Sequence, residues 1–474
     1  MMRQCPTLMA LAIAACRPGP SPAGSPTAMP TVGAASMQAT AAAVPSGHGD
    51  HLARALPDAT DSGARETRLI ARMLKRVERV RGLDASKRIP GVLLDRDALI
   101  AQVKKHVSRE LPPEAIHNEG LALQLLGFVP SQFDYEAAEY HLLEEQLAGY
   151  YEPADGTMYM ASDLGDDEAN ATLAHELVHA LQDQHYNLQE RSKYRQGDGD
   201  RSEAVSALAE GDATSAMFDV MITQASPGAG RTALDLPDEL FADQIRRGMS
   251  ELQETGAPRV MRSSLAAPYI YGTLFVHALR RRGGWEAVDR AWTDPPTTSE
   301  QIMHVDKWLA HEPPLRVQPP PFATLGSGWK AADEDSEGEL GTRVAFEEWM
   351  DETKAAEASA GWGGDRGVLL RNGSQAAFAW RLRYDSGKTP NERTNSVFPA
   401  LAHAVDRTLG KPTMSDAAFD CHDRSDRGPL AIARIGRDIV FLAGPTTTSD
   451  SAPWKSLAGC AIARKWVREI GETP

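Results

Sequence analysis

Apolar residues recur at helical spacing along two long stretches of the chain. Between residues 66 and 147 they fall three or four positions apart, as in Leu69, Met73 and Val77. The same period resumes near residue 167 and continues to about residue 310. Such spacing places the side chains on one face of a helix. The pattern therefore predicts two runs of helices with a short interruption between them.

The interruption and the end of the chain carry signals that are typical of strands. Residues 149–162, GYYEPADGTMYMAS, place a turn-forming PADG between alternating Tyr and Met residues and predict a strand or short hairpin. The Asn372-Gly373 pair separates two apolar runs in residues 368–382, and this predicts a hairpin. Residues 432–444 predict a second hairpin, and residues 392–409 predict a helix between the two.

These elements assign the chain to the α+β class. We expect a mainly helical domain with a short sheet over residues 66–315, of which residues 66–148 form a helical N-terminal part. A small α+β domain is expected over residues 340–474. The 474 residues are enough to form several cores.

The first residues predict export from the cytoplasm. Residues 1–15 combine Arg3 with an apolar run that is too short to span a bilayer, as in a signal peptide. The segment ending in Cys16, Ile-Ala-Ala-Cys, resembles the lipobox of bacterial lipoproteins. This resemblance implies that Cys16 becomes the lipidated N-terminus of an envelope lipoprotein, periplasmic or attached to the outer membrane. The alternative is an ordinary signal peptide cleaved near Ala15.

A tether is expected to follow the signal. Residues 16–65 are rich in Pro, Ala, Gly and Ser without apolar periodicity, and they predict a disordered segment. The most apolar later stretch, residues 265–279, is short and contains Pro268, so a buried helix is expected there. The membrane is therefore expected to be contacted only through the N-terminal lipid.

Charge and cysteine content narrow the classes of function. The chain has 50 Lys and Arg against 65 Asp and Glu, a net charge of −15, and no basic stripe, so nucleic acid is not an expected partner. Four cysteines without a Cys-x-x-Cys pair argue against thiolate zinc sites and thioredoxin-like chemistry. In an exported protein, Cys421 and Cys460 are candidates for one disulfide.

One motif carries metal chemistry. Residues 175–179 read His-Glu-Leu-Val-His within a predicted helix. Positions four apart face the same way, so His175 and His179 can bind one cation while Glu176 reaches a water on it. Two histidines and a carboxylate favour Zn²⁺, which makes its bound water acidic and leaves Glu176 as the general base.

Other acidic residues are candidates for completing this site. Glu203 and Glu210 lie seven residues apart on a second predicted helix, and either one can supply the third ligand. Asp183, four residues beyond His179, is expected to accept a hydrogen bond from a ligand imidazole. Asp212 is expected either to orient a ligand histidine or to cap a turn.

The segment HELVHALQD, residues 175–183, is similar to the zinc helix of thermolysin-like peptidases, the gluzincins. The order of later segments, including ALAEGDAT and SEQIMH, resembles uncharacterised bacterial lipoprotein metallopeptidases of this type over residues 66–312. The resemblance implies a zincin-like domain with Glu210 as the third ligand. It also makes His304 a candidate donor to the scissile carbonyl, with Tyr269 or Tyr271 and a purely structural His304 as alternatives.

The sequence thus predicts a zinc metallopeptidase that acts on a protein or peptide substrate, with Glu176 as the general base. The alternative is a zinc-stabilised envelope lipoprotein without turnover that acts as a binding or adaptor protein. In a further alternative, the C-terminal domain carries the function and acts as a docking module. A further interpretation, which the sequence leaves open, is that residues 66–148 form an inhibitory prosegment.

Overall fold

The computed structural model describes residues 59–251, 256–387, 391–449 and 452–473. The chain has α+β architecture, with a helical region followed by a sheet-rich region, which confirms the predicted fold class. The predicted signal peptide, Cys16 and most of the expected tether lie outside the described residues. The predictions made for them stay predictions.

The first region is mainly helical. Its elements are α1 (Ala59–Arg81), β1 (Gly91–Leu94), α2 (Arg96–Glu110), α3 (Glu114–Leu126), α4 (Tyr135–Gln146), β2 (Gly149–Glu152), β3 (Thr157–Ala161), α5 (Asp166–Tyr186), α6 (Leu188–Arg191), α7 (Gly199–Ala225), α8 (Asp238–Glu251), α9 (Arg259–Thr293), α10 (Ser299–Met303) and α11 (Val305–Leu309). None of the helices that the structure describes combines the length and low polarity that a bilayer crossing requires.

The start of one helix and the presence of one strand differ from the sequence prediction. The helix α1 begins at Ala59, seven residues before the expected start of the helical part at residue 66. These residues precede the apolar stripe that starts at Leu69, so periodicity gave no sign of their helical turn. The strand β1 interrupts the predicted run of helices and pairs in parallel with β3. Its sequence, Gly-Val-Leu-Leu, does not alternate apolar and polar residues, so the pattern gave no strand signal.

The predicted hairpin over residues 149–162 is present as β2 and β3, which pair antiparallel through Tyr150 and Tyr159. Together with β1 they form a three-stranded sheet in the order β1-β3-β2. The strand β2 lies at an edge of this sheet and packs on α5. This edge therefore borders the helix that carries His175 and His179.

The second region is a sheet with helices on it. Its elements are β4 (Lys330–Asp335), α12 (Gly338–Glu347), α13 (Glu352–Ser359), β5 (Trp362–Asn372), β6 (Gln375–Tyr384), α14 (Glu392–Leu409), β7 (Met414–Asp416), β8 (Phe419–His422), β9 (Leu430–Ile435), β10 (Asp438–Thr447), β11 (Lys455–Ser456) and α15 (Cys460–Gly471). The strand order is β4-β5-β6-β10-β9-β8-β7, and β11 pairs with β10.

Both predicted hairpins are confirmed. The strands β5 and β6 meet at Asn372 and Gln375, and the two-residue loop begins with Gly373 at φ 58°. A positive φ of this kind is the reason that Asn-Gly favours tight hairpins. The strands β9 and β10 are joined in the same way through Gly436 at φ 59°. A disulfide joins Cys421 of β8 to Cys460 of α15, as the sequence suggested.

Contacts cross the predicted division between the two regions. In α12, Leu340 and Val344 are buried in the core of the helical region. In the opposite direction, Leu121 and Leu125 of α3 are buried in the core of the large sheet. These shared cores fix the two regions against each other. The domain bounds drawn from the sequence stay predictions.

A charged cluster reinforces this junction. The ammonium of Lys307 in α11 donates to Glu300 at 2.6 Å and to Glu312 at 2.6 Å. It also donates to Asp385, which follows β6 in the second region, at 2.7 Å. One cation thus links three carboxylates from separate segments, which stabilises the junction through charge-assisted hydrogen bonds.

Candidate metal centre

The helix α5 presents the His-Glu-x-x-His motif from its middle turns. Its first turn carries Asp166, Asp167 and Glu168, whose negative charges favour a helix N-terminus. The helix ends at Asn187, which has a left-handed conformation. Between these ends, Leu177 and its apolar neighbours are buried in the core. The motif therefore lies on a rigid, fully packed segment.

The structure brings a carboxylate of α7 to the two histidines. Atom Nε2 of His175 lies 3.0 Å from Nε2 of His179. Atom Oε2 of Glu210 lies 3.0 Å from Nε2 of His175 and 3.6 Å from Nε2 of His179. All three side chains are at most 2% exposed. Three potential ligand atoms thus converge in a buried triangle.

This triangle fits a small divalent cation. Bonds of about 2.0–2.1 Å in tetrahedral geometry place neighbouring zinc ligands roughly 3.3 Å apart. The observed separations of 3.0, 3.0 and 3.6 Å lie around that value. Two imidazoles and one carboxylate form a donor set that is typical of zinc. Independently of Glu210, the atoms of His175, Glu176 and His179 lie close enough to hold one metal ion.

Glu203 does not share this arrangement. It lies seven residues before Glu210, which corresponds to about 10 Å along the helix axis. Burial, followed by the nearby charge of Asp200, raises the pKa of Glu203 to about 8. Of the two carboxylates that the sequence left open, the structure therefore brings only Glu210 to the histidines.

Gln182 orients one of the histidines. Its Oε1 lies 2.8 Å from Nδ1 of His179, and its Nε2 donates to the carbonyl of Ala209 at 3.0 Å. Because the amide nitrogen is engaged by a carbonyl, Oε1 must accept and Nδ1 of His179 must donate. In the neutral ring the proton is therefore on Nδ1, and the lone pair of Nε2 is available to a metal ion. The sequence analysis missed Gln182, a polar residue three positions beyond His179 on a buried face.

The prediction for Asp183 is therefore wrong in its partner. Asp183 accepts from the hydroxyl of Tyr151 at 3.1 Å and from the backbone N–H of Gln189 at 3.0 Å. Positions three and four residues beyond His179 lie on opposite sides of it around the helix. The side chain of Asp183 lies on the side that faces Tyr151 of β2. Asp183 thus fixes the sheet edge and the helix end rather than an imidazole.

Asp212 also has other partners than a histidine. Its carboxylate accepts from Arg81 at 2.6 Å and from the indole of Trp292 at 2.8 Å. All three side chains are buried. These contacts neither orient a histidine by a hydrogen bond nor cap a turn. They differ from both roles suggested for Asp212. Nδ1 of His175 has no hydrogen-bond partner among the described residues.

Glu176 is held by the sheet edge. The backbone N–H of Tyr151 in β2 donates to its Oε2 at 2.8 Å. Its Oε1 is buried and has no hydrogen-bond partner within the described part of the chain. Burial raises the pKa of this carboxyl to about 8, against the lowering effect of His179. The N–H of Tyr151 therefore fixes one oxygen of this carboxyl group.

Burial and charge also determine the protonation of the ligand triangle. Burial raises the pKa of Glu210, but the charge of His179 and the hydrogen bond from His175 outweigh it and hold that pKa at about 2. Burial lowers the pKa of His179, yet Glu210 reverses this effect and raises it to about 9. Burial keeps the pKa of His175 below its usual range. The negative charge of Glu210 thus requires a positive partner, and a bound cation can replace the proton on His179.

The three candidate carbonyl donors lie in different surroundings. The ring of Tyr269 is buried beside His175, with ring centres 6.1 Å apart. The ring of Tyr271 instead lies 5.1 Å from the guanidinium carbon of Arg343. His304 bonds through Nε2 to Glu339 of α12 at 3.0 Å, and this bond raises its pKa. The structure thus places the ring of Tyr269 beside His175, and the catalytic role of His304 stays a prediction.

Comparison with known proteins adds little about this centre. Residues 324–452 match a family described as a domain of unknown function, DUF8575, which lies outside the helical region. No curated protein matches the chain. A solved structure described as a "putative hydrolase with a novel fold" from Chloroflexus aurantiacus is 18% identical, over 54% of this chain and 91% of its own, with a TM-score of 0.34. A likeness this low carries no argument about function.

Proposed function

We propose that this protein is a zinc-dependent metallopeptidase of the gluzincin type, with His175, His179 and Glu210 as the metal ligands. The observation that carries the proposal is the convergence of their Nε2 and Oε2 atoms within 3.0–3.6 Å. Glu176 lies beside them, and its Oε1 has no hydrogen-bond partner among the described residues. Metal binding alone does not need this fourth residue, whereas hydrolysis needs a base.

Each group of the site has a separate role in the proposed hydrolysis. Zinc in such a site supplies a Lewis acid and lowers the pKa of a coordinated water to about 7. Glu176 takes the proton from the attacking water and returns it to the leaving amine. The N–H of Tyr151 holds the other oxygen of that carboxylate and so fixes its orientation. Tyr269, adjacent to His175, is our candidate donor to the carbonyl oxygen, with His304 as the alternative.

The burial of the site favours a second function. His175, Glu176, His179 and Glu210 are each at most 1% exposed. A peptide can reach them only if the residues that cover the site separate. A zinc-stabilised binding or adaptor protein needs no such opening, because its metal serves only to hold α5 against α7.

The experiment measures zinc and peptide hydrolysis together in the full chain. We expect one zinc per chain in the wild type by elemental analysis, and loss of zinc in Glu210→Gln. Glu203→Gln is the matched control, because it makes the same carboxyl-to-amide change on the same helix without touching the histidines, and it should keep zinc. Glu176→Gln should keep zinc and lose cleavage of a mixed peptide library.

The outcomes separate the two functions. A folded wild type that takes up no zinc contradicts both, and cleavage by Glu176→Gln at the wild-type rate contradicts the peptidase mechanism. Stoichiometric zinc without cleavage of any peptide favours the binding or adaptor function. We extend the proposal to an exported lipoprotein attached through Cys16, so Cys16→Ser should release the protein from the membrane fraction.

A further inference from the structure

A cavity of about 330 Å³ lies between α8, α9, α12 and α13. Four arginines line it: Arg246, Arg259, Arg262 and Arg343. The carboxylates of Glu347 and Glu352 also line the cavity, so the lining itself has an excess of two positive charges. Outside the lining, Asp243 lies 3.3 Å from Arg246, and the charges of Arg259 and Arg262 act on Glu348. This excess occurs in a chain whose net charge is −15. Local positive charge of this kind attracts anions.

Two of these arginines occupy an unfavourable place for a cation. Arg259 and Arg262 lie in the first turns of α9, which has no acidic residue there. A helix N-terminus carries partial positive charge, so cations there repel the helix dipole. An anion in the cavity would interact favourably with both the dipole and the guanidinium groups.

The carboxylates present satisfy only part of this charge. Glu347 lies 3.4 Å from Arg343 and 3.8 Å from Arg259, and it also accepts from Ser263. Glu352 lies 3.8 Å from Arg246. These are long separations for ion pairs, since charge-assisted hydrogen bonds are about 2.7–2.9 Å. Arg259 also donates to the backbone carbonyl of Glu347 at 2.5 Å, and Arg262 donates to that of Ala257 at 3.1 Å. Because a guanidinium group has five N–H donors, each keeps donors for a better-placed oxyanion.

The rest of the lining is apolar. Ala266, Ala267 and Ile270 of α9 and Val344 of α12 line the cavity, together with the aromatic ring of Tyr271. The guanidinium carbon of Arg343 lies 5.1 Å from the centre of that ring, which orients Arg343 along it. A ligand that carries both an anionic group and an apolar or aromatic body matches this combination.

We propose that this cavity is a binding site for a small organic oxyanion, a phosphate or carboxylate on an apolar body. Arg262 and Arg343 hold the anionic group, and the surface of Ala266, Ile270 and Tyr271 receives the body. The site is distinct from the candidate metal centre and does not depend on its activity. The negative charge of Glu352, which also lines the cavity, opposes anion binding.

The test is calorimetric titration of the full chain at low ionic strength with phenyl phosphate and with benzoate. We expect saturable binding of at least one probe at one site per chain. Binding should be at least about tenfold weaker in Arg262→Gln, because a charge-assisted hydrogen bond is lost. Arg282→Gln is the matched control, since Arg282 lies on the same helix and pairs on the surface with Asp306; it should bind as the wild type does.

A second variant tests for an increase in affinity. Glu352→Gln removes a competing carboxylate and should tighten binding, which a variant with damaged folding would not do. Preference for either probe supports the proposal and identifies the oxyanion. No saturable binding by the folded wild type overturns it, and so does equal affinity in Arg262→Gln or weaker binding in Glu352→Gln.

Discussion

The backbones of Gly211 and Gly272 touch where α7 crosses α9. A Cβ atom on Gly211 would lie 2.1 Å from the carbonyl carbon of Gly272, and one on Gly272 would lie 1.9 Å from the carbonyl oxygen of Ala207. Neither position has room for a side chain. Because Glu210 immediately precedes Gly211, this contact also sets the depth at which Glu210 faces the histidines.

Gly272→Ala should destabilise the protein by about 1–3 kcal/mol or more, because the new methyl group must displace backbone. The measurement is the free energy of unfolding in denaturant. Gly165→Ala is the control, because nothing lies within 4 Å of the added methyl at that position; its cost should stay within about 1 kcal/mol. Equal stability of Gly272→Ala and wild type would contradict the close crossing.

Gln182→Leu should weaken zinc binding about 10- to 100-fold, because His179 loses the acceptor that orients its ring. The measurement is competition for zinc against a chelator of known affinity. Asp183→Asn is the matched control on the neighbouring position. Since Asp183 bonds to Tyr151 and Gln189, its variant should bind zinc as the wild type does. The reverse order of affinities would restore the role first expected for Asp183.

The stability of the protein should depend on pH through Asp200. This buried residue accepts from the backbone N–H of Ser299 at 2.7 Å. Burial, with the charges of Asp365 and Glu300, raises its pKa from 3.8 to about 8. Between pH 3.8 and about pH 8, the carboxyl group of Asp200 is protonated in the folded state and ionised in the unfolded state. The free energy of unfolding therefore falls as pH rises from about 4 to 8.

Asp200→Asn should remove this contribution, since a neutral amide keeps the acceptor and does not titrate. The slope of unfolding free energy against pH, measured from pH 5 to 8, should be more negative in the wild type by up to about 1.4 kcal/mol per unit. Asp306→Asn, which changes a side chain that is 87% exposed, should leave the slope unchanged. Identical slopes in wild type and Asp200→Asn would show that Asp200 ionises normally.

Local patterns predicted the elements well. The helix over residues 392–409 and the Asn372-Gly373 hairpin occur as expected, because each depends on side chains close in sequence. The strand β1 was missed, since its four residues gain their structure from pairing with β3. The sequence also gave no sign that apolar residues of α3 are buried in the core of the large sheet.

The sequence by itself determined that His175 and His179 share a face, because four residues are about one helical turn. Spacing along the chain left Glu203 and Glu210 open, although the resemblance to gluzincins implied Glu210. The sequence also gave Asp183 a role that Gln182 fills. Those outcomes depend on how α7 lies against α5 and α9, which the contact of Gly211 with Gly272 helps to set. Tertiary structure decided them, because distances between separate helices depend on packing rather than on spacing along the chain.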